Sequence, residues 1–246
     1  MRISGKKESI DYKHTSSFFD RRAKKYNDNN PYGVTMYQDN NPKLVEDRNR
    51  YEVEKLLPKL SINYESTILD VACGIGRWSD AITVPIKEYF GIDFCKGLIQ
   101  IANERNVNQN NRRFVVGSST DVENVVRHVS DLDYNVVLMI GALVYLNDED
   151  ILATFKQVER LCANNATICI REPIGLCERL TLKEQFSDEL NDEYNAIYRT
   201  RDELIRYMKP AFIDKGFCLE DEDFLFDSNL NNRKETAQYY FILRRY

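Results

Sequence analysis

The residue types and spacings best suited to ligand chemistry lie between positions 66 and 93. The run Ser-Thr-Ile-Leu-Asp-Val ends near Asp70, Gly74 and Gly76 follow at once, and a second apolar run ends at Asp93, nineteen residues after Gly74. Glycine permits positive φ and removes the Cβ that would keep a ligand away from the backbone. A helix beginning at Arg77 would offer free N–H groups and a partial positive charge to an anionic ligand group. Asp70 can accept a hydrogen bond from a ligand amine or order the loop. An acidic residue closing the next strand, at the spacing of Asp93, is placed to bind both hydroxyls of a ribose. A Gly-x-Gly turn alone is also an ordinary strand-to-helix turn. Combined with Asp93 it argues for a nucleoside-containing cofactor.

The dinucleotide fingerprint wants a third glycine where this chain has Ser79. The sequence Asp-Val-Ala-Cys-Gly-Ile-Gly-Arg (70–77), followed by Gly-Ile-Asp-Phe (91–94), instead resembles motifs one and two of the class I S-adenosylmethionine-dependent methyltransferases, and the resemblance runs from about 44 to 172. It implies S-adenosyl-L-methionine as cofactor, with Asp70, Ala72, Gly74 and Gly76 at its methionine end, Asp93 on the ribose and Phe94 beside the adenine. Met139 and Ile140 would supply backbone near the methionyl group. The family often has an aspartate after the third strand's glycine. Ser118 stands there in this chain, so Ser118, Ser119, Thr120 or Asp121 would face the base.

The elements that would carry these residues can be read from periodicity. Strands are expected at 66–71, 87–92, 113–117, 134–140 and 166–170, separated by helices at 77–82, 95–106, 122–130 and 147–161. Such strand–helix units imply a parallel sheet with right-handed crossovers. Thr200-Arg201-Asp202-Glu203 is a capping box, so a helix is expected from 201 to about 215. Strands at 217–226 and 236–245 then form a terminal antiparallel strand pair. The fold class is α/β: a Rossmann-like, seven-stranded, mostly parallel sheet with helices on both faces. Residues 43–246 form the cofactor-binding domain, opening on an amphipathic helix at 43–60, and 1–42 a tail and lid segment. Within the latter, 1–14 is expected to be loose, 16–26 to be a basic helix and 27–41 a loop. In the family a segment like Phe-Phe-Asp-Arg-Arg-Ala-Lys-Lys-Tyr, ending at Tyr26, forms a lid over the cofactor. The long polar stretch at 171–200 is expected to be an acceptor-side insert.

Composition narrows the setting. A net charge of −5 argues against broad nucleic-acid binding. The longest apolar stretch, 136–146, is too short to span a membrane. Residues 1–14 lack the apolar centre of a signal peptide, so a cytoplasmic location and no membrane partner are expected. None of the six cysteines forms a C-x-x-C pair and there are only two histidines, so no metal site is expected. The oligomeric state is expected to be monomer or homodimer.

Methyl transfer from a sulfonium is an in-line displacement that rests on positioning, which can contribute about 7–11 kcal/mol, and often on no strong acid or base. The acceptor should lie outside the carboxyl ends of the strands. Tyr145 could orient it, and Glu172 or His14 could act as a base. Glu172 could equally pair with Arg171. Arg171 and Arg199, with Arg179, Arg201, Arg21 and Arg22 nearby, suit a small anionic acceptor, because the guanidinium fork pairs with phosphate and carboxylate. A phosphorylated metabolite, a nucleotide sugar or a surface-polysaccharide precursor would fit. Two other readings stay open: a nicotinamide-dependent oxidoreductase, disfavoured by Ser79 and the terminal strand pair, and a cofactor-binding scaffold without catalysis. Methylation of a protein or RNA is a further variant. Its base-modifying form is weakened by Met-Ile-Gly-Ala after the fourth strand, where an Asn-Pro-Pro-Tyr type of tetrapeptide would stand.

Overall fold

The computed structural model describes residues 1–37, 39–227, 229–231 and 233–246. The chain opens with a short strand β1 (Arg2–Ser4) and helices α1 (Tyr12–Lys24), α2 (Gly33–Met36) and α3 (Pro42–Leu56). Alternation follows: β2 (Thr67–Val71), α4 (Arg77–Ala81), β3 (Glu88–Asp93), α5 (Lys96–Arg105), β4 (Arg112–Val116), α6 (Val122–Arg127), β5 (Tyr134–Ile140), α7 (Asp148–Leu161) and β6 (Cys162–Gly175). A hairpin of β7 (Leu180–Ser187) and β8 (Asp192–Tyr198) precedes α8 (Arg201–Ala211), β9 (Cys218–Phe224) and β10 (Thr236–Arg245).

Seven strands form one sheet in the order β4-β3-β2-β5-β6-β10-β9. The four pairings from β4 to β6 are parallel, and β10 runs antiparallel to both β6 and β9. Because both faces are covered, β2 is buried at every position, as a parallel strand under helices must be. Leu69, Val71, Val137, Met139, Ile168 and Ile170 face α6, α7 and α8. Ile68, Val136, Leu138 and Cys169 face α3, α4 and α5, with Trp78 of α4 buried among them. The Thr200–Glu203 capping box forms as expected, and α8 ends at Ala211 before a separate 3₁₀ turn at Ile213–Lys215.

Three segments differ from expectation. Residues 2–4 are not loose: β1 pairs with β7, Arg2 opposite Leu182, in a three-stranded antiparallel sheet β1-β7-β8. Residues 171–200 are mostly strand. β6 continues to Gly175 because β10 pairs along its whole length, Thr236 opposite Gly175, and β7 pairs with β8 beyond it. The buried side of the small sheet, Leu180, Leu182, Tyr194, Ala196 and Tyr198, packs on Phe18 and Phe19 of α1 and Val34 of α2. Its covering comes from residues about 160 positions away, so local polarity alone reads as loop. The expected loop at 27–41 also contains the short helix α2.

Candidate active site

Beyond β2 the chain turns through Ala72, Gly74 and Gly76, with φ of 63°, 57° and 77°. Such left-handed backbone is easy for glycine and costly for alanine. The turn wraps the Asp93 carboxylate, whose Oδ2 accepts the Gly74 N–H at 3.0 Å and whose Oδ1 accepts the Cys95 N–H at 2.9 Å. Burial pushes the Asp93 pKa up to about 6, against these two N–H groups that favour the charged form. A Cβ on Gly74 would stand 2.9 Å from Thr35 Cγ2, so the segment before α3 closes directly on the turn. Above it lies a cavity of about 330 Å³. Ala72, Gly74, Asp93 and Phe94 form one side, Ser118, Ser119 and Thr120 another, and Ile140, Gly141, Ala142, Tyr145 and Leu146 a third. Tyr12, Thr15, Ser16 and Phe19 of α1 roof it.

A second cavity, of about 150 Å³, adjoins the first, and both are lined by Thr35, Tyr37, Ile140, Gly141 and Tyr145. At this shared neck the Tyr145 hydroxyl donates to the Tyr37 hydroxyl at 2.9 Å. Burial raises both phenols well above their ordinary range, so both stay neutral near pH 7. Tyr37 holds a φ of 56°, a strained conformation for an aromatic residue. Deeper in the second cavity stand Tyr194 and Tyr198, their hydroxyls 3.5 Å apart, together with Arg48, Arg171 and Arg233. Arg171 pairs with Glu52 at 3.1 Å and donates to the Gln238 side-chain oxygen at 3.2 Å. Glu52 also takes Arg77 at 2.7 Å. Arg48 donates to the Leu230 carbonyl and lies over the Phe226 ring.

Of the residues expected at the cofactor, Ala72, Gly74, Asp93, Phe94, Ser118, Ser119, Thr120 and Ile140 line the larger cavity. Four others do not. Asp70 is buried beneath the turn, accepts the Tyr89 hydroxyl, and has its pKa pushed by burial up to about 7. Gly76 points at the Phe114 ring, which a Cβ would meet at 3.1 Å. The Met139 side chain packs under α6 and α7 because strand alternation sends it away from Ile140. Tyr26, beyond α1, bonds Asp28 and Arg105.

Of the expected acceptor-side residues, Tyr145 lines both cavities and Arg171 the smaller one. His14 points at β8, its Nδ1 3.2 Å from Asn195 Nδ2. Glu172 lines neither cavity; it does not pair with Arg171 but accepts the N–H groups of Ala142, Leu143 and Val144. Arg199 is buried against Asp148 and the carbonyls of Leu143 and Leu146. Arg179 also grips Asp148, Arg201 pairs with Glu222, Arg21 with Asp192, and Arg22 with Asp39. Sequence reasoning does not single out several cavity-lining residues, among them Tyr12, Thr35, Tyr37, Arg48, Tyr194, Tyr198 and Arg233. For the tyrosines among them the advance signal is their abundance, fifteen in all.

Residues 68–165 match a family described as a methyltransferase domain. The matched stretch runs from β2 to the start of β6, the part of the fold that carries the glycine turn and Asp93. Among the solved structures of similar fold, several hold S-adenosylmethionine or S-adenosylhomocysteine. In the larger cavity the Asp93 oxygens, each holding one backbone N–H, keep lone pairs for further donors. Among solved structures, a phosphoethanolamine N-methyltransferase of Haemonchus contortus, in complex with phosphoethanolamine and S-adenosylhomocysteine, is similar at 14% identity and a TM-score of 0.67, covering 93% of this chain and 47% of that one. The domain thus spans about half of that enzyme. A methyltransferase of the DUF858 family from Leishmania major matches at 14% identity and a TM-score of 0.63, covering 92% of this chain and 82% of that one. Magnesium protoporphyrin IX methyltransferase from Synechocystis matches at 13% identity and 0.60, covering 94% and 93%. At these identities the likeness concerns the fold. No curated protein matches the sequence.

Proposed function

We propose that the domain transfers a methyl group from S-adenosylmethionine to an O or N atom of a small anionic acceptor bound in the 150 Å³ cavity. The observation that carries this reading is the neck: two cavities, one over the glycine turn and one lined by arginines, share the walls formed by Tyr37 and Tyr145. A cofactor in the first and an acceptor in the second would meet there, as in-line displacement requires.

In this reading Asp93 accepts the ribose hydroxyls, Phe94 covers the adenine, and Ser118 to Thr120 face the base. Ala72 and Gly74 leave the backbone accessible at the methionine end, and Ile140 and Gly141 border the reacting groups. Helix α1 excludes water above them. Arg171, with Arg48 and Arg233, draws in the anionic group of the acceptor, and the neutral hydroxyls of Tyr37 and Tyr145 orient the accepting atom. Bound methionine sulfonium supplies the methyl group. The domain's own task is alignment, with no proton shuttle through His14, which points away. The Haemonchus contortus relative, crystallised with phosphoethanolamine, has the same fold around a phosphorylated small molecule.

Calorimetric titration of the full chain with S-adenosylhomocysteine, with NADH alongside, tests the cofactor half. Micromolar binding of the former that is lost in Asp93→Ala supports it, and binding of NADH alone overturns it. A screen of phosphorylated, carboxylated and neutral acceptors with labelled S-adenosylmethionine tests the other half. Turnover confined to neutral acceptors, or a KM for an anionic one unchanged by Arg171→Ala, would remove the anionic reading.

A further inference from the structure

Glu172 and Arg199 are both 2% exposed and line neither cavity. A buried charge is costly unless it is well hydrogen-bonded, and both residues spend their bonds on one segment, the loop between β5 and α7. Glu172 Oε1 accepts the N–H of Ala142 at 2.7 Å and of Leu143 at 2.8 Å, and Oε2 accepts that of Val144 at 3.1 Å. Arg199 donates through Nη1 to the Leu143 carbonyl at 2.9 Å and through Nη2 to the Leu146 carbonyl at 2.6 Å. Its Nε meets Asp148 Oδ1 at 2.9 Å, at the start of α7. Leu143 is therefore held on both sides, its N–H by an anion from β6 and its carbonyl by a cation that follows β8.

The loop leaves the sheet through Gly141, at a φ of 74°, and makes a single 3₁₀ turn at Leu143–Tyr145. Its early N–H groups would otherwise need water or regular structure. The turn ends at Tyr145, whose ring meets Phe19 edge-on at 5.0 Å and whose hydroxyl donates to Tyr37. Small shifts of this loop would move Tyr145 across the neck.

We propose that Glu172 and Arg199 are positioning residues that grip the 141–147 loop from opposite sides and thereby hold Tyr145 at the junction of the two cavities. The significance of Tyr145 there rests on the functional reading above, while the grip itself does not. Glu172 is thus no catalytic base. Its carboxylate is filled by backbone donors, and replacing it with glutamine sets an amide N–H₂ against one of them.

The test uses the full-length protein with 3-fluorotyrosine placed at position 145 and read by ¹⁹F NMR, beside S-adenosylhomocysteine titration of each variant. Glu172→Gln and Arg199→Lys should each shift or split the Tyr145 resonance, while the affinity for S-adenosylhomocysteine stays within about threefold. Leu56→Ala, a core truncation on the opposite face of the sheet, should destabilise the fold without moving that resonance. Once an acceptor is in hand, Glu172→Gln should lower kcat at least about tenfold and leave the acidic limb of its pH profile in place. Most of that loss should vanish in a Tyr145→Phe background, because residues acting as a unit are not additive. An unchanged Tyr145 resonance in folded Glu172→Gln would overturn the proposal, as would an equal shift in Leu56→Ala, multiplicative kinetic effects, or loss of the acidic limb. If Glu172→Gln does not fold, Arg199→Lys decides on the same criteria. Failure of the wild type to bind S-adenosylhomocysteine would strike the functional reading alone and leave the NMR comparison intact.

Discussion

In the proposed function Asp93 combines a structural and a binding task in one carboxylate. Its N–H partners, Gly74 and Cys95, are the backbone of the turn and of the loop before α5, so the ligand-facing oxygens are fixed by the same bonds that close the turn. Because burial lifts its pKa to about 6, acceptance of two ribose hydroxyls should weaken as the carboxyl protonates. The affinity for S-adenosylhomocysteine is expected to fall below about pH 6, approaching tenfold per pH unit. Asp93→Asn should bind weakly at every pH between 5 and 8. Calorimetry across that range, with a flat wild-type profile as the contrary result, checks it. At the neck, Tyr145→Phe removes a hydrogen bond of ordinary strength and should cost about 1 kcal/mol of stability. Its larger effect is expected in turnover, with cofactor affinity preserved. Equal loss of both would mean that Tyr145 serves only to pack.

At the scale of elements, α3 is tied to α4 and β6 by one carboxylate. Glu52, 1% exposed, takes Arg77 at 2.7 Å and Arg171 at 3.1 Å. The two guanidinium groups hold its carboxyl below the usual range despite a burial penalty that acts the other way. Glu52→Ala leaves two cations facing each other at the wall of the smaller cavity and should cost about 3–5 kcal/mol. For a chain of 246 residues that corresponds to a fall in Tm on the order of 10 °C, readable by differential scanning fluorimetry. A drop of only a degree or two would show that water or Gln238 takes over. The roof is held similarly: Arg22 of α1 is fully buried and bonds both Asp39 oxygens at 2.6 Å, with the Gly33 carbonyl at 2.6 Å. Arg22→Ala should detach α1 from the segment after it. Faster proteolysis between 25 and 41 and faster release of S-adenosylhomocysteine are the expected readouts, and unchanged rates of both would show that Phe18 and Phe19 suffice to hold the roof.

For the whole molecule, three buried carboxyls set the response to pH. Burial raises Asp70 to about 7, Asp93 to about 6 and Glu172 to about 7. In each case the folded protein holds its proton more tightly than the unfolded chain. Their favourable contribution is therefore complete below the unfolded carboxyl pKa and is lost as pH rises through the folded values. Asp148 has the opposite sign. Burial works against ionisation there, but Arg179 and Arg199 outweigh it and hold the pKa at about 2, so its contribution is lost only on acidification below about pH 4. The protein without cofactor should thus melt higher at pH 5 than at pH 8. A melting temperature that climbs steadily from pH 5 to 8 would contradict this. Among the described residues no helix is long and apolar enough to cross a membrane.

What could be read from the sequence was contiguous or periodic. The glycine turn, Asp93 and Phe94 lie within a few residues of the strands that deliver them, and the helical and strand periods of 122–170 mark both faces of the sheet, so much of the lining of the larger cavity was legible residue by residue. Within that motif, which residue faces the cavity was not. Asp70 and Gly76 belong to the same local pattern as Gly74, yet one is sealed against Tyr89 and the other against Phe114. The smaller cavity was hardly legible at all. Tyr37 follows α2, Arg48 lies on α3, Tyr194 and Tyr198 on β8, and Arg171 on β6. No short spacing relates them: packing of the small sheet against α1 and α2 places the tyrosines, and the Glu52 pair of α3 holds Arg171. The same holds for charge. The sequence shows abundant arginines, and their types alone permit anion binding, but a guanidinium binds a ligand only if carbonyls and carboxylates of the fold have not already filled its donors. That accounting closes Arg199 and Arg22 to an acceptor, keeps Arg171 at the cavity wall, and turns Glu172 inward to the loop. It depends on distances that tertiary structure alone determines.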